Sequence, residues 1–329
     1  LDGGAEIAVH VDADTDVHAS LADAVEPARR HGIVLSPHFL APPPADGLSP
    51  DEFEKQRTGV FNSGFVAVGR AGVPFLAWWS SRVARDCLFD DPMGAHADQR
   101  WLDYVPSYFD HHVCRDAGVN VAQWNVAERP IGWDGSAYTA GGRPLRSFHF
   151  AGFDPDRPDT PGAYGWATPL RLDAVEQPAL QRLCREYAGK LLAAGLAEAR
   201  ATRYRYATTA AGTPLDAWRR RAYRELLLAA EAQGADIPDP FDAARSLELE
   251  RLLARPARSG LLSPAARARL RDARLVRPSA HGGAVGRAEF AVAFARQTWR
   301  QLPRRRHPWM PHPLPSARVR LEYASPGPA

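Results

Sequence analysis

The 329-residue chain is poor in cysteine, methionine and lysine, and the shortages narrow its class. Three cysteines cannot build a disulfide framework, so a reducing compartment is the default expectation. No apolar run reaches the ~18 residues of a membrane span, and no signal-peptide pattern opens the chain. These absences point to a cytoplasmic protein. Lysine occurs only as Lys55 and Lys190, against 39 arginines. Scarce lysine with abundant Arg and Ala is the ordinary mark of a GC-rich genome. The basic end also lacks interleaved aromatic residues beyond Trp299 and Trp309, so no nucleic-acid partner is expected.

What is present is globular in its averages, with 45% hydrophobic and 24% charged residues, enough for one large or two ordinary domains. The formal charge of +3 conceals a split. Up to Glu250, 25 Arg and Lys face 35 Asp and Glu; from Arg251 onward, 16 Arg face three acids. A solvated, Arg-rich tail is the plain account of the second part. If the tail has a role, it suits peripheral contact with an anionic membrane at its inner face.

Glu6 to Val11 reads as a short buried strand that runs into the acidic stretch Asp12-Ala13-Asp14-Thr15-Asp16. Ile33 to Leu35 is a second apolar run, and Val60 to Val68 looks like a strand interrupted by a polar turn. Leu76 to Cys87 carries apolar residues at helical spacing, and Ser147 to Phe150 is another buried strand. Asp154 to Pro161 is a Pro- and Asp-rich linker or surface loop. Amphipathic helices are expected over Gln177–Arg200 and Leu215–Gln233, with helical stretches around Ala265–Arg274 and Ala288–Arg300 and an irregular, Pro-rich end from Pro303. The pattern gives an α/β region over 1–160, a helical accessory region over 161–255, and a partly disordered basic tail over 256–329.

Asp12 and Asp14 stand two apart at the end of an apolar strand. On an extended chain such side chains point the same way, so both carboxylates can meet one cation. A hard divalent ion prefers oxygen ligands and keeps open positions for phosphate oxygens. A polar turn that merely caps the strand is the bland alternative. A calcium loop is excluded, because Val17 sits where that motif needs glycine and Asp23 where it needs glutamate.

Four further motifs follow in order: Phe61-Asn62-Ser63-Gly64, Ala97-Asp98-Gln99, Gln123-Trp124-Asn125 and His149-Phe150-Ala151-Gly152. Alone, they read as a turn, a helix start, a polar loop and a buried histidine. Together, from about Val9 to Pro155, they resemble the motifs of bacterial nucleotide-sugar glycosyltransferases of the GT-A fold. The similarity is to the retaining group that includes glycogenin and the lipopolysaccharide galactosyltransferases.

The resemblance implies a GT-A mixed sheet followed by a mainly helical extension. It also implies that Asp12, Asp14 and His149 hold Mn²⁺ or Mg²⁺ on the diphosphate of a nucleotide-sugar donor. Asp98 and Gln99 would then be the catalytic pair, and Asn62, Ser63, Gly64, Asn125 and Gly152 would bind donor and sugar. The acceptor would be a glycan or lipid-linked saccharide, in polysaccharide biosynthesis. The chain departs from the pattern in three places. His10 and Val11 replace the usual aromatic and leucine before the first aspartate. Phe153-Asp154-Pro155 stands where members carry a phosphate-contacting lysine, with Arg57 and Arg146 as candidate substitutes. Only eleven residues precede Asp12, too few for the nucleotide-binding half of that fold, so an amino-terminally truncated domain with exposed edge strands is expected. A non-catalytic binding scaffold is the alternative reading. A metal-dependent phosphoesterase is a weaker one, because further His and Asp ligands are missing.

Overall fold

In the computed structural model, which describes residues 4–90, 94–162, 171 and 177–275, the body is built around the apolar run at Val60 to Val68. The expectations for 288–300 and for 303–329 lie outside the described residues. In chain order, Ile7–Val11 (β1) gives way almost at once to Thr15–Val17 (β2). The short helices Ala22–Val25 (α1) and Ala28–His31 (α2) lead to Ile33–Pro37 (β3). Glu52–Thr58 (α3) precedes the long strand Phe61–Gly69 (β4) and the helix Val73–Asp86 (α4). A hairpin of Leu88–Asp90 (β5) and Ala95–Ala97 (β6) follows, then a 3₁₀ segment, Gln99–Tyr104, that runs into Val105–Tyr108 (α5). The short strands His112–Val113 (β7), Val121–Ala122 (β8), Ile131–Trp133 (β9) and Tyr138–Ala140 (β10) come next. Arg143–Pro144 (β11) and Ser147–His149 (β12) end this part. The remaining helices are Pro178–Ala193 (α6), Leu196–Ala201 (α7), Ala217–Gln233 (α8), Ser246–Ala254 (α9) and Pro264–Leu275 (α10). The protein is a mixed α/β structure.

β4 is central to a four-stranded sheet of order β1-β4-β3-β7, antiparallel to both of its neighbours. Its residues are buried along its whole length because both faces are covered. The period-2 alternation of a strand sends Val66 and Val68 to one face, with Ile33, Leu35, Phe75 and Leu102. It sends Phe65 and Ala67 to the other, with Val34, Ala24 and Ala28. α4 and α5 close the first face, and α1 and α2 close the second. The polar turn expected inside this strand takes the form of a bulge. Leu35 pairs with Val66 and Ser36 with Asn62, so Ser63, Gly64 and Phe65 have no partners on β3. Bulges of this kind re-aim side chains beside functional sites.

β1 lies at the open edge of this sheet, paired with β4 alone, and its three central residues are exposed. The apolar run from Glu6 to Val11, expected as a buried strand, is therefore a largely exposed one, because only β4 covers it. A second sheet, β2-β12-β8, begins only three residues after β1 ends. α6 packs on it, with Leu180, Leu183 and Tyr187 sharing a core with Phe148 and Phe150. The single helix expected over Gln177–Arg200 divides instead at Gly195, whose left-handed backbone (φ 89°) ends α6 and starts α7. α8 starts where Asp216 accepts a hydrogen bond from the Arg219 N–H at 2.8 Å, and it stops at left-handed Gly234. Its apolar stripe, Ala222, Leu226 and Ala230, packs against Leu249, Leu253, Leu262, Ala266 and Leu270. The helical core thus continues past Arg255 into the segment assigned from sequence to the tail.

Phe75, fully buried on α4, stacks on Trp79 at 5.3 Å and underlies one whole face of the main sheet. Phe75→Ala should cost about 3–5 kcal/mol of unfolding free energy in urea titration. A loss well under 1 kcal/mol would mean that this face is not the core described here.

Candidate metal centre

Asp12 and Asp14 do not sit on an extended strand. β1 ends at Val11, and the chain turns back at once, the Thr15 N–H donating to the Asp12 carbonyl at 3.0 Å. Two further backbone bonds hold this turn between the sheets. The Asp12 N–H donates to the Gly64 carbonyl on the β4 bulge at 3.2 Å, and the Phe150 N–H donates to the Asp14 carbonyl at 2.8 Å. Antiparallel pairing of Thr15 with His149 then brings the imidazole beside the carboxylates.

The result is a compact donor set. His149 Nε2 lies 3.1 Å from Asp14 Oδ1 and 3.5 Å from Asp12 Oδ2. One ligand atom from each of Asp12, Asp14 and His149 falls within 4.8 Å of the others, the spacing a shared cation needs. The histidine is buried while both carboxylates are part exposed, so the site opens on the carboxylate side. Burial works against the ionised form of Asp14, but the hydrogen bond and charge of His149 outweigh it and hold its pKa below the ordinary range. His10, which follows β1's pleat toward the same rim, bonds Asp12 Oδ1 through Nε2 at 3.2 Å. That hydrogen bond raises the His10 pKa, and the Asp98 carboxylate adds to the effect from nearby.

Gly64 is fixed by the imidazole. A Cβ at this position would stand 2.5 Å from His149 Nδ1, closer than any carbon can approach, so only glycine leaves room for the ring beside β4. Trp124 meets His149 edge-on at 5.3 Å and His38 at 5.4 Å, which closes the other side. His149 Nδ1 and Trp124 Nε1 are buried without a hydrogen-bond partner among the described residues.

Behind the carboxylates lies a buried amide network. Asn62 Nδ2 donates to Gln99 Oε1 at 2.7 Å, and Asn62 Oδ1 accepts from the Gly64 N–H and from Asn120 Nδ2, both at 2.9 Å. Gln99 Oε1 also accepts from the Ser63 N–H, and Gln99 Nε2 donates to the Thr58 carbonyl at 2.8 Å. Asn125 caps the turn after β8, its Oδ1 accepting from the Ala122 N–H at 2.9 Å and its Nδ2 donating to the His38 carbonyl at 3.1 Å. Asn62 and Gln99 thus spend their amides on each other, on Asn120, on His38 and on backbone, and Asn125 spends its own on backbone alone, so that they lock the strand ends. Asp98, at the start of the 3₁₀ segment, is half-exposed at the rim, where Trp79 Nε1 donates to its carbonyl at 3.0 Å. Gly152 occupies an exposed left-handed position (φ 65°) in the turn that follows Phe150. Arg146 is not available as a substitute phosphate contact. It stands before β12, at the end opposite His149, where its Nε donates to Asp116 at 2.7 Å and its guanidinium also pairs with Asp23.

His38 was not singled out from sequence, and Trp124 entered only as the middle of the Gln123-Trp124-Asn125 motif, with no role of its own. His38 follows an ordinary apolar run, and only the β3 register turns it inward. Fully buried, it is neutral, with Nδ1 facing the Val60 carbonyl at 3.2 Å and Nε2 facing Asn62 Nδ2 at 3.4 Å. That geometry fits the tautomer with the proton on Nδ1. Desolvation, helped by nearby Lys55, pushes its pKa well below the ordinary value of 6.5.

No protein-family model matches the chain, and no solved structure matches it. It is similar to the "Uncharacterized protein YfnD" of Bacillus subtilis (strain 168), 35% identical over 105 residues. That stretch is 30% of this chain and 33% of the Bacillus protein, so the chain spans about a third of the relative it matches.

Two measurements test the geometry of the centre. Gly64→Ala should lower the unfolding free energy by about 1–3 kcal/mol, because the methyl must displace the imidazole or the strand. Gly189→Ala, in open space on α6, should instead raise it by about 0.5–1 kcal/mol. Buried neutral His38 takes up its proton only on unfolding. Stability should therefore fall as pH drops below 6.5, by up to about 1.4 kcal/mol per pH unit, and His38→Gln should flatten that slope. An unchanged slope in the variant would place the titrating group elsewhere.

Proposed function

We propose that this chain carries the metal-binding, sugar-facing part of a GT-A-type glycosyltransferase. The whole protein would move a sugar, with retention, from a nucleotide-sugar donor to a glycan or lipid-linked acceptor. The observation that carries the reading is the convergence of Asp12, Asp14 and His149 beside the amides of Asn62 and Gln99. Two carboxylates and an imidazole suit Mn²⁺ or Mg²⁺, and the bound ion would act as a Lewis acid for the departing diphosphate.

The chain's own residues would do the rest. Asp12 and Asp14 offer charge at an opening where phosphate can arrive, and Gly64 and Trp124 hold the His149 ring in place. Asp98 presents a carboxylate at the rim, where a sugar hydroxyl can meet it. Asn62 and Gln99, already bonded to each other, need no reorganisation to keep Ser63 and Gly64 in position, which is how a preorganised site lowers a barrier. The mixed α/β architecture is compatible with this fold. Among the described residues no helix is long and apolar enough to cross a membrane. Cytoplasmic placement, with peripheral membrane contact through the basic tail, fits the reading.

The test is Mn²⁺-dependent hydrolysis of a panel of nucleotide sugars by the full-length protein and by its Asp12→Ala/Asp14→Ala form. The double variant should lose at least ~100-fold in rate, together with measurable Mn²⁺ binding by calorimetry. Equal background in both forms would sink the catalytic reading and favour a binding scaffold.

A further inference from the structure

On the face of the main sheet covered by α4 and α5, the aromatic residues do not all go inward. Trp78 and Arg82, one turn apart on α4, face Trp101, Tyr104 and Tyr108, which fall on one side of the segment from Gln99 to Tyr108. With Phe109 as part of the floor, they enclose an open groove of about 510 Å³. Phe75 and Phe109, 5.8 Å apart and edge-on, support it from the core.

Packing explains the upper rings only in part: Tyr108 and Trp101 each meet Trp78 edge-on, at 5.7 and 6.2 Å. Tyr104 and Tyr108 are 48% and 56% exposed, far from the burial a core role demands. They lie nearly parallel, with centroids 5.6 Å apart at 22°, and Trp101 continues the row at 6.1 Å and 32° from Tyr104. The tyrosines form an offset stack that leaves about half of each ring open, and such part-open faces suit flat-faced units. Sugar rings qualify: their C–H faces are apolar and weakly positive, which suits the negative face of an aromatic ring, and their hydroxyl edges can bond the tyrosine hydroxyls. Single-stranded nucleic acid also stacks on aromatic rows, but its backbone needs a track of cations, and one arginine lines this groove.

That arginine sets the charge of the ligand. Arg85, the next cation along α4, pairs with Glu231 at 2.6 Å, and Arg224 pairs with Asp86. Arg82 has no carboxylate partner among the described residues, and it sits at the groove wall. A guanidinium there can take a carboxylate or phosphate through two parallel hydrogen bonds.

We propose that this groove binds an extended glycan chain carrying a carboxylate or phosphate group. As the acceptor site it deepens the glycosyl-transfer reading, and it rests on that reading for this role alone. The two sites share one structural rail. Gln99 bonds Asn62 at one end of the 3₁₀ segment, and Tyr104 lines the groove at the other, roughly 10 Å along at about 2 Å per residue. An oligosaccharide is long enough to bridge that span.

The experiment titrates the full chain, in EDTA, with tetragalacturonate, with pentamannose phosphate and with their uncharged counterparts, following tryptophan emission and heat. At least one acidic probe should bind, about tenfold more tightly than its neutral counterpart. Arg82→Gln should remove that preference. Tyr104→Ala/Tyr108→Ala should weaken binding of either form about tenfold or more, while its far-ultraviolet circular dichroism stays that of the parent and its melt stays cooperative, because both rings are about half exposed. Asp12→Ala/Asp14→Ala should bind as the parent does, so failure of the metal centre and failure of the groove give separate signals. Absence of binding by every probe, or undiminished binding in the tyrosine variant, would overturn the proposal. So would a dimer that dissociates in that variant, because the groove would then belong to a second copy of the chain.

Discussion

The turn from Asp12 to Thr15 is the constraint on which the rest depends. It passes the chain from the edge of one sheet to the edge of another within three residues, and it is bonded to both. Gly64 holds it from the β4 side and Phe150 from the β12 side. Every distance in the donor set follows from these two backbone bonds and from the pairing of Thr15 with His149. The carboxylates themselves sit on a hinge between layers, where neither sheet alone could aim them.

The buried amides explain how such a junction stays open to solvent without loosening. An unpaired buried amide costs roughly 1–3 kcal/mol, so a cluster of asparagine and glutamine in a core survives only when nearly every group is used. Asn62 uses both its oxygen and its nitrogen, and Gln99 does the same. Three atoms in and beside this network, Asn120 Oδ1, His149 Nδ1 and Trp124 Nε1, are buried without partners among the described residues, as is Arg129 Nη2 outside it. Asn120 also holds a left-handed backbone (φ 52°), a conformation that asparagine tolerates better than most residues. An unmet acceptor and a left-handed backbone thus coincide at Asn120, within the amide network.

Much of this was readable before any coordinates. The alternation through Val60 to Val68 marks a strand, and the amphipathic spacing of α4, α6 and α8 marks helices. The pair Asp12 and Asp14 stands out because two carboxylates after an apolar strand are unusual, and His149 because of its motif. A turn, and not strand alternation, gathers the two carboxylates, because β1 ends at Val11. Strands of two or three residues, such as β2, β8 and β12, carry too little periodicity to be seen, and they place the histidine. His38, and the placement of Trp124 between two histidines, are illegible for the same reason. Their roles come from register, and register is a property of pairs of segments. The division of the expected long helix at Gly195 was legible in principle, since glycine at a helix end is a common stop.

Asp14 and His149 are more than 130 residues apart in the chain, yet they meet through one short antiparallel pairing. Contacts of such separation form late, because the loop between them must close before they are rewarded. A partly folded or nicked chain would keep both aspartates on their local turn and still lack the third donor. Assembly of the cluster is thus a report on the completeness of the whole α/β body, and the meeting of Asp14 with His149 can serve as a quality gauge for the folding of everything between.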